Sequence, residues 1–200
     1  MIDKSFLFLA IVGVLGLPNT SMSENHDWPA YGNGAGGGNF SLATEITPEN
    51  VSQLRQAWVH RSGDYHQGNE WTKHKVIDSS LQTSFQATPI LVEDTLFYCS
   101  PYNKVIALDP ASGEERWVFD PKIDPEGKGI LHCRGVSSWV DDSVSQSARC
   151  RHRIVSTTIE SELLSIDAAT GKLCEGFGAS GRVNLRSGLG DHDHGLYYST

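Results

Sequence analysis

Two heptapeptides constrain this chain more than any other feature: Ala107–Gly113 reads Ala-Leu-Asp-Pro-Ala-Ser-Gly, and Ser165–Gly171 reads Ser-Ile-Asp-Ala-Ala-Thr-Gly. In each, an aspartate is followed three residues later by a hydroxyl residue and four later by glycine. Such an aspartate caps a tight turn through its side chain, and the glycine supplies positive φ. Short runs rich in β-branched and aromatic residues flank both turns. Around the first, the pattern predicts strands over Ala87–Val92, Thr95–Cys99, Lys104–Leu108 and Glu115–Phe119. Around the second it predicts strands over Arg153–Ile159, Glu162–Ile166 and Lys172–Phe177. Asp109 and Asp167 lie 58 residues apart. A period of that size, filled with several short strands, is the signature of propeller blades. The fold class is therefore all-β. Trp117, four residues past Gly113, is expected to pack between neighbouring blades; the second copy has Glu175 there, with Phe177 nearby.

The remaining sequence is less regular. Trp28–Asn39 is too rich in glycine and asparagine for a helix or a regular strand. Ile46–Asn50 reads as a turn, Val51–Arg55 as one turn of helix, and Gln56–Arg61 alternates as a strand would. Gly63–Thr83, containing Trp71, is a long polar loop, and long loops in compact domains are often functional. At the N-terminus, Lys4 precedes an apolar run from Phe6 to Leu17, and Ser21-Met22-Ser23 places small residues at a cleavage site. That is the layout of a secretory leader over 1–23, either cleaved or retained as an anchor. Residues 24–200 are then expected outside the cytoplasm, in the periplasm of a Gram-negative cell. Such a compartment permits disulfides among Cys99, Cys133, Cys150 and Cys174. Cys133 and Cys150 flank a polar loop and could bridge a hairpin, whereas Cys99 and Cys174 sit in apolar strand contexts as small buried residues. The net charge of −8 argues against nucleic acid and against a polybasic membrane patch.

Several motifs occur in a fixed order: Trp28–Phe40, Trp58–Asp64, Ala87-Thr88-Pro89, the two aspartate–glycine turns, and Cys133-Arg134-Gly135-Val136-Ser137. Together they resemble the quinoprotein dehydrogenases that use pyrroloquinoline quinone (PQQ), nearest the glucose, quinate and shikimate type. The resemblance implies an eight-bladed propeller, of which this length holds about three blades. It implies PQQ at the central axis beside calcium or magnesium, oxidation of a sugar or polyol hydroxyl, and electrons passed to a membrane quinone pool. The alternative is a non-catalytic propeller scaffold for outer-membrane assembly.

PQQ is a planar quinone with three carboxylates, so its pocket needs cations and flat surfaces. Arginine serves both needs. The resemblance implies cofactor contacts from Arg61, Arg134, Gln86 and His132. Gln86 stands where the family often has glutamate. The family's stacking histidine lies three residues before the cysteine, a place held here by Ile130; either a local shift brings His132 to the ring or another group stacks. The family's catalytic aspartate and metal ligands have no counterpart in these residues. No catalytic or metal-binding residue is therefore assigned, and the chain is expected to be the inactive N-terminal part of a longer reading frame. Asp191-His192-Asp193-His194 resembles a metal cluster but reads as a variable loop.

Overall fold

The computed structural model describes residues 27–65 and 82–190, apart from Ala35, Gly127 and Gly129. The leader at 1–23, most of the Gly63–Thr83 loop with Trp71, and Asp191–His194 lie outside the described residues. Regular structure among the described residues is almost entirely strand, with one 3₁₀ turn at Val51–Gln53. No helix among them is long and apolar enough to cross a membrane.

The ten strands are β1 Gln82–Thr88, β2 Ile90–Val92, β3 Thr95–Cys99, β4 Val105–Leu108, β5 Glu115–Phe119, β6 Ile130–Gly135, β7 Ser137–Val140, β8 His152–Thr157, β9 Glu162–Asp167 and β10 Arg182–Asn184. β2-β3-β4-β5 form one four-stranded antiparallel sheet, and β7-β8-β9-β10 form a second. Each sheet's first strand has an extension before it. Pro89, which has no N–H to give a ladder, separates β1 from β2; Val136 separates β6 from β7. The two extensions pair with each other in parallel, Gln82 opposite Ile130 through Phe85 opposite Cys133. A parallel pair needs a crossover, and here the whole first sheet supplies it. The pairing sets the two sheets side by side as neighbouring blades.

Packing follows from the strand sequences. Val105-Ile106-Ala107-Leu108 is a continuous apolar run, and all four side chains are buried, as expected for a strand covered on both faces. On one face, Ile90, Val92, Phe97, Val105 and Ala107 join Ile154, Leu164 and Ile166 of the second sheet, and Ala168 in the turn after β9, in the main core. On the other face, Tyr98, Ile106 and Leu108 are covered by Leu96 and Trp58.

The aspartate–glycine turns provide the joints. Asp109 accepts hydrogen bonds from the Ala111 and Ser112 N–H groups, and Asp167 accepts from the Thr170 N–H and hydroxyl. Gly113 and Gly171 have φ of +75° and +69°. Trp117 indole N–H donates to the Ala168 carbonyl at 2.9 Å, and its ring lies so close that a Cβ on Gly171 would come within 2.7 Å of it. Trp58 repeats the arrangement one period earlier. It donates to the Pro110 carbonyl at 3.0 Å, and a Cβ on Gly113 would come within 2.5 Å of its ring. Each tryptophan thus sits in the turn of the next unit. Trp117 packs between blades as its position implied, and Trp58 is a further copy that the sequence pattern did not expose.

Three expectations change. Gln56–Arg61 alternates, with Trp58 and His60 turned inward, but forms no ladder among the described residues. The described residues therefore hold two complete four-stranded blades, with Trp58 in the place of a preceding unit's tryptophan. Lys172–Phe177 is not a strand: only Leu173 bridges Ile166, and the fourth strand is β10. Cys174 diverts the chain, since it is bonded to Cys150 and its N–H donates to the Ser165 carbonyl. Finally, the disulfides are Cys99–Cys133 and Cys150–Cys174, not Cys133–Cys150. The parallel pairing of β6 lays Cys133 beside the end of β3, away from the loop that carries Cys150.

Candidate functional site

The β1–β6 ribbon carries the site. Side chains alternate along β6: Leu131 and Cys133 are buried, while His132 is half-buried and Arg134 exposed on the other face. Arg134 opens onto a cleft of about 700 Å³, within the usual size of small-ligand pockets. Gln86, Thr88, Ser137, Ser156 and Thr157 share that cleft with it; Val136, Val155 and Leu163 give it apolar wall, and Tyr31 also lines it. No acidic side chain lines it. The Arg134 guanidinium has no ion-pair or hydrogen-bond partner among the described residues. Arg116, Arg149, Arg151, Arg153 and Arg182 all face carboxylates. Gln86 donates from its side-chain amide to the Ser84 hydroxyl at 3.0 Å.

Of the four residues named from the sequence, the structure brings Gln86 and Arg134 together. Arg61 is exposed on the segment after Trp58 and does not line the cleft. His132 does not line it either; its carbonyl accepts a hydrogen bond from the Asn103 side chain at 3.1 Å. Sequence reading passed over Thr157, Ser156 and Tyr31. The available signal was the run Ser156-Thr157-Thr158, three hydroxyl residues where an apolar strand meets its turn.

Buried polar contacts hold the ribbon's surroundings. Asn103, fully buried with φ of 57°, donates to the His132 carbonyl and accepts from the Ile159 N–H at 2.8 Å, so it ties the β3–β4 turn to both β6 and the second blade. Asp64 is buried and accepts from Lys104 at 2.6 Å and from the Ser100 hydroxyl. The Tyr98 phenol and His60 Nδ1 share a hydrogen bond of 2.6 Å, while His60 Nε2 faces Glu115 at 2.8 Å. Burial, with Glu115 and Asp64 nearby, pushes the Tyr98 pKa up, so the phenol stays neutral. These contacts fix the segment that carries Trp58 and Arg61.

The donor set fits a planar polycarboxylate: an unspent guanidinium, four aliphatic hydroxyls, one amide, one phenol ring and no opposing acid. PQQ is such a molecule. Among the described residues no group of three or more His, Cys, Asp or Glu side chains could hold a metal ion.

Comparison with known proteins identifies the family. Residues 28–200 match the family model for the β-propeller domain of glucose/ethanol/alcohol dehydrogenases that use PQQ. The chain is 38% identical to quinoprotein glucose dehydrogenase of Escherichia coli over 181 residues, covering 88% of this chain and 22% of that protein. It is 37% identical to the glycerol dehydrogenase large subunit of Gluconobacter oxydans, with 87% and 22% covered. It is 30% identical to the quinate/shikimate dehydrogenase (quinone) of Acinetobacter baylyi, with 88% and 22% covered. The chain thus spans about a fifth of the length of these relatives. Among solved structures, quinohemoprotein alcohol dehydrogenase from Comamonas testosteroni superimposes with a TM-score of 0.60 at 23% identity, covering 82% of this chain and 20% of that one. That likeness supports the propeller fold.

Proposed function

Because this chain belongs to the PQQ-dependent glucose/ethanol/alcohol dehydrogenase β-propeller family, we propose that it forms the cofactor-anchoring arc of a dehydrogenase acting on a sugar, polyol or cyclitol hydroxyl. One observation carries the proposal: the unpaired Arg134 shares an acid-free cleft with Gln86 and Thr157. Arg134 clamps a cofactor carboxylate, and the Thr157 hydroxyl and Gln86 amide supply directional hydrogen bonds at its rim. Bound PQQ supplies the two-electron redox chemistry. Arg61 and His132 contact the same cofactor only if its outline extends beyond this cleft, which keeps both as expected contacts to be tested alongside it. The ion beside the cofactor is calcium or magnesium, and none of its ligands is assigned in this chain. Electrons pass to a membrane quinone, and the protein works in the periplasm, a location supported by the leader-like residues 1–23.

The test is reconstitution of the intact protein with PQQ and calcium, followed by dye reduction with glucose, glycerol, quinate, shikimate and ethanol. Reduction with at least one of the first four is expected. Arg134→Ala should raise the PQQ concentration needed for half-maximal activity by more than tenfold, as loss of a charge-assisted clamp implies about 1.5–3 kcal/mol. A protein that reduces dye with none of the five, yet folds, would point to the non-catalytic scaffold instead.

A further inference from the structure

We infer that Tyr31 is the aromatic wall of the Arg134 cleft, its ring covering one face of the bound planar cofactor. The inference rests on the PQQ reading of that cleft and adds a residue to it. Among the residues lining the cleft, Tyr31 has the only aromatic ring, and Arg134 the only other extended flat group with charge. His132, the stacking candidate named from the sequence, is outside it.

The loop that presents Tyr31 is held rather than free. Trp28 and Leu91 exchange backbone hydrogen bonds of 2.6 and 3.0 Å, docking the opening segment on the edge of β2 that faces away from β3. Beyond Tyr31 the backbone folds back on itself: the Asn33 N–H donates to the Ala30 carbonyl, and the Asn39 N–H donates to the Gly32 carbonyl, both at 3.0 Å. The Asn33 side chain donates to the Phe40 carbonyl at 2.7 Å. Gly32 has φ of +73°, and a Cβ there would come within 2.7 Å of Gly37 Cα, so the fold-back needs glycine at that point. The result is a tyrosine 73% exposed on a loop that sequence-specific contacts hold in place beside a cleft. An exposed aromatic ring on a fixed loop gains nothing from folding, but gains contact area and stacking once a flat ligand occupies the cleft.

The ring is therefore a binding group, and its removal should cost affinity without costing fold. The experiment titrates the calcium-loaded intact apo-protein with PQQ, following intrinsic fluorescence, and records a melting temperature for every variant. Tyr31→Ala is expected to weaken PQQ binding about threefold to tenfold, the size of an aromatic contact, with an unchanged melting temperature. Tyr31→Phe should stay within about twofold of the unaltered protein, because stacking uses the ring and not the hydroxyl. Gly32→Ala, which displaces the loop, should reproduce the loss seen with Tyr31→Ala. If Tyr31→Ala binds like the unaltered protein while Arg134→Ala loses binding, the Tyr31 role is wrong and the dehydrogenase reading stands. If Tyr31→Phe loses as much as Tyr31→Ala, the ring is not the binding element and the inference falls. If the unaltered protein binds no PQQ, the reading and the inference fall together.

Discussion

Asp109 collects four hydrogen bonds on one half-buried carboxylate, from Arg116, the Ser112 N–H and hydroxyl, and the Ala111 N–H. Arg116 contributes most, then Ser112, and together they hold the carboxyl at about 2. An aspartate whose folded pKa is depressed adds stability above its unfolded value of about 3.9 and loses it as pH falls through the folded value. Thermal melts from pH 5 to pH 2 should therefore fall most steeply between about pH 4 and pH 2, and Asp109→Asn should flatten that limb. An unchanged acid limb would remove Asp109 as a contributor. Asp167 is lowered as well: burial opposes ionisation, but the Thr170 bonds and the Cys150 N–H outweigh it. The turn-capping role of both aspartates could be read from sequence because those partners lie two or three residues on: Ala111 and Ser112 for Asp109, and Thr170 for Asp167. Asn103 and Asp64 could not: the partners of Asn103 are 29 and 56 residues away, and those of Asp64 are 36 and 40.

At the scale of elements, the seat of Trp117 on Gly171 joins one blade to the next. Gly171→Ala adds a Cβ at positive φ and against the indole, which should destabilise by more than about 1 kcal/mol. Trp117→Ala should cost about 3 kcal/mol, as for a packed tryptophan lost from a core. In the double variant the added methyl meets no ring, so the combined cost should be about 1 kcal/mol less than the sum of the two single costs in denaturant titration. Strict additivity would mean that the indole and the glycine do not share one seat. Strands β3 and β5 matched their sequence pattern because local alternation and turn chemistry agree there, and β4, β8 and β9 differ from it by only one or two residues at their ends. The strand expected over Lys172–Phe177 failed because the Cys150–Cys174 bond overrides a local pattern. Gln56–Arg61 kept its alternation but has no neighbouring strand among the described residues to pair with, something no pattern within the segment can reveal. The cleft was half visible for the same reason: Arg134 lies in a motif, whereas Thr157 reaches it through the β7–β8 pairing and Tyr31 through the docking of Trp28 on Leu91.

For the molecule as a whole, two disulfides act on different structures. Cys99–Cys133 ties the first blade to the ribbon beside Arg134, and Cys150–Cys174 closes a loop within the second blade. Four cysteines allow three pairings, and spacing alone did not select this one. Sequence separations of 34 and 24 residues imply about 3–4 kcal/mol of stabilisation from each in the chain-entropy model. Replacing Cys99 and Cys133 with alanine should lower stability by that amount and weaken PQQ binding. The Cys150/Cys174 pair should lower stability similarly and leave binding within about twofold of the unaltered protein. Equal binding losses from both would show that the ribbon is not held locally. The tryptophan seats carry a further consequence, for synthesis. Trp58 finds its carbonyl partner 52 residues later, and Trp117 waits 51. At roughly 5–20 residues per second, each indole leaves the ribosome several seconds before its partner exists. Both of these joints therefore begin as an exposed aromatic in a nascent chain, and the period of the repeat sets how long each stays uncovered.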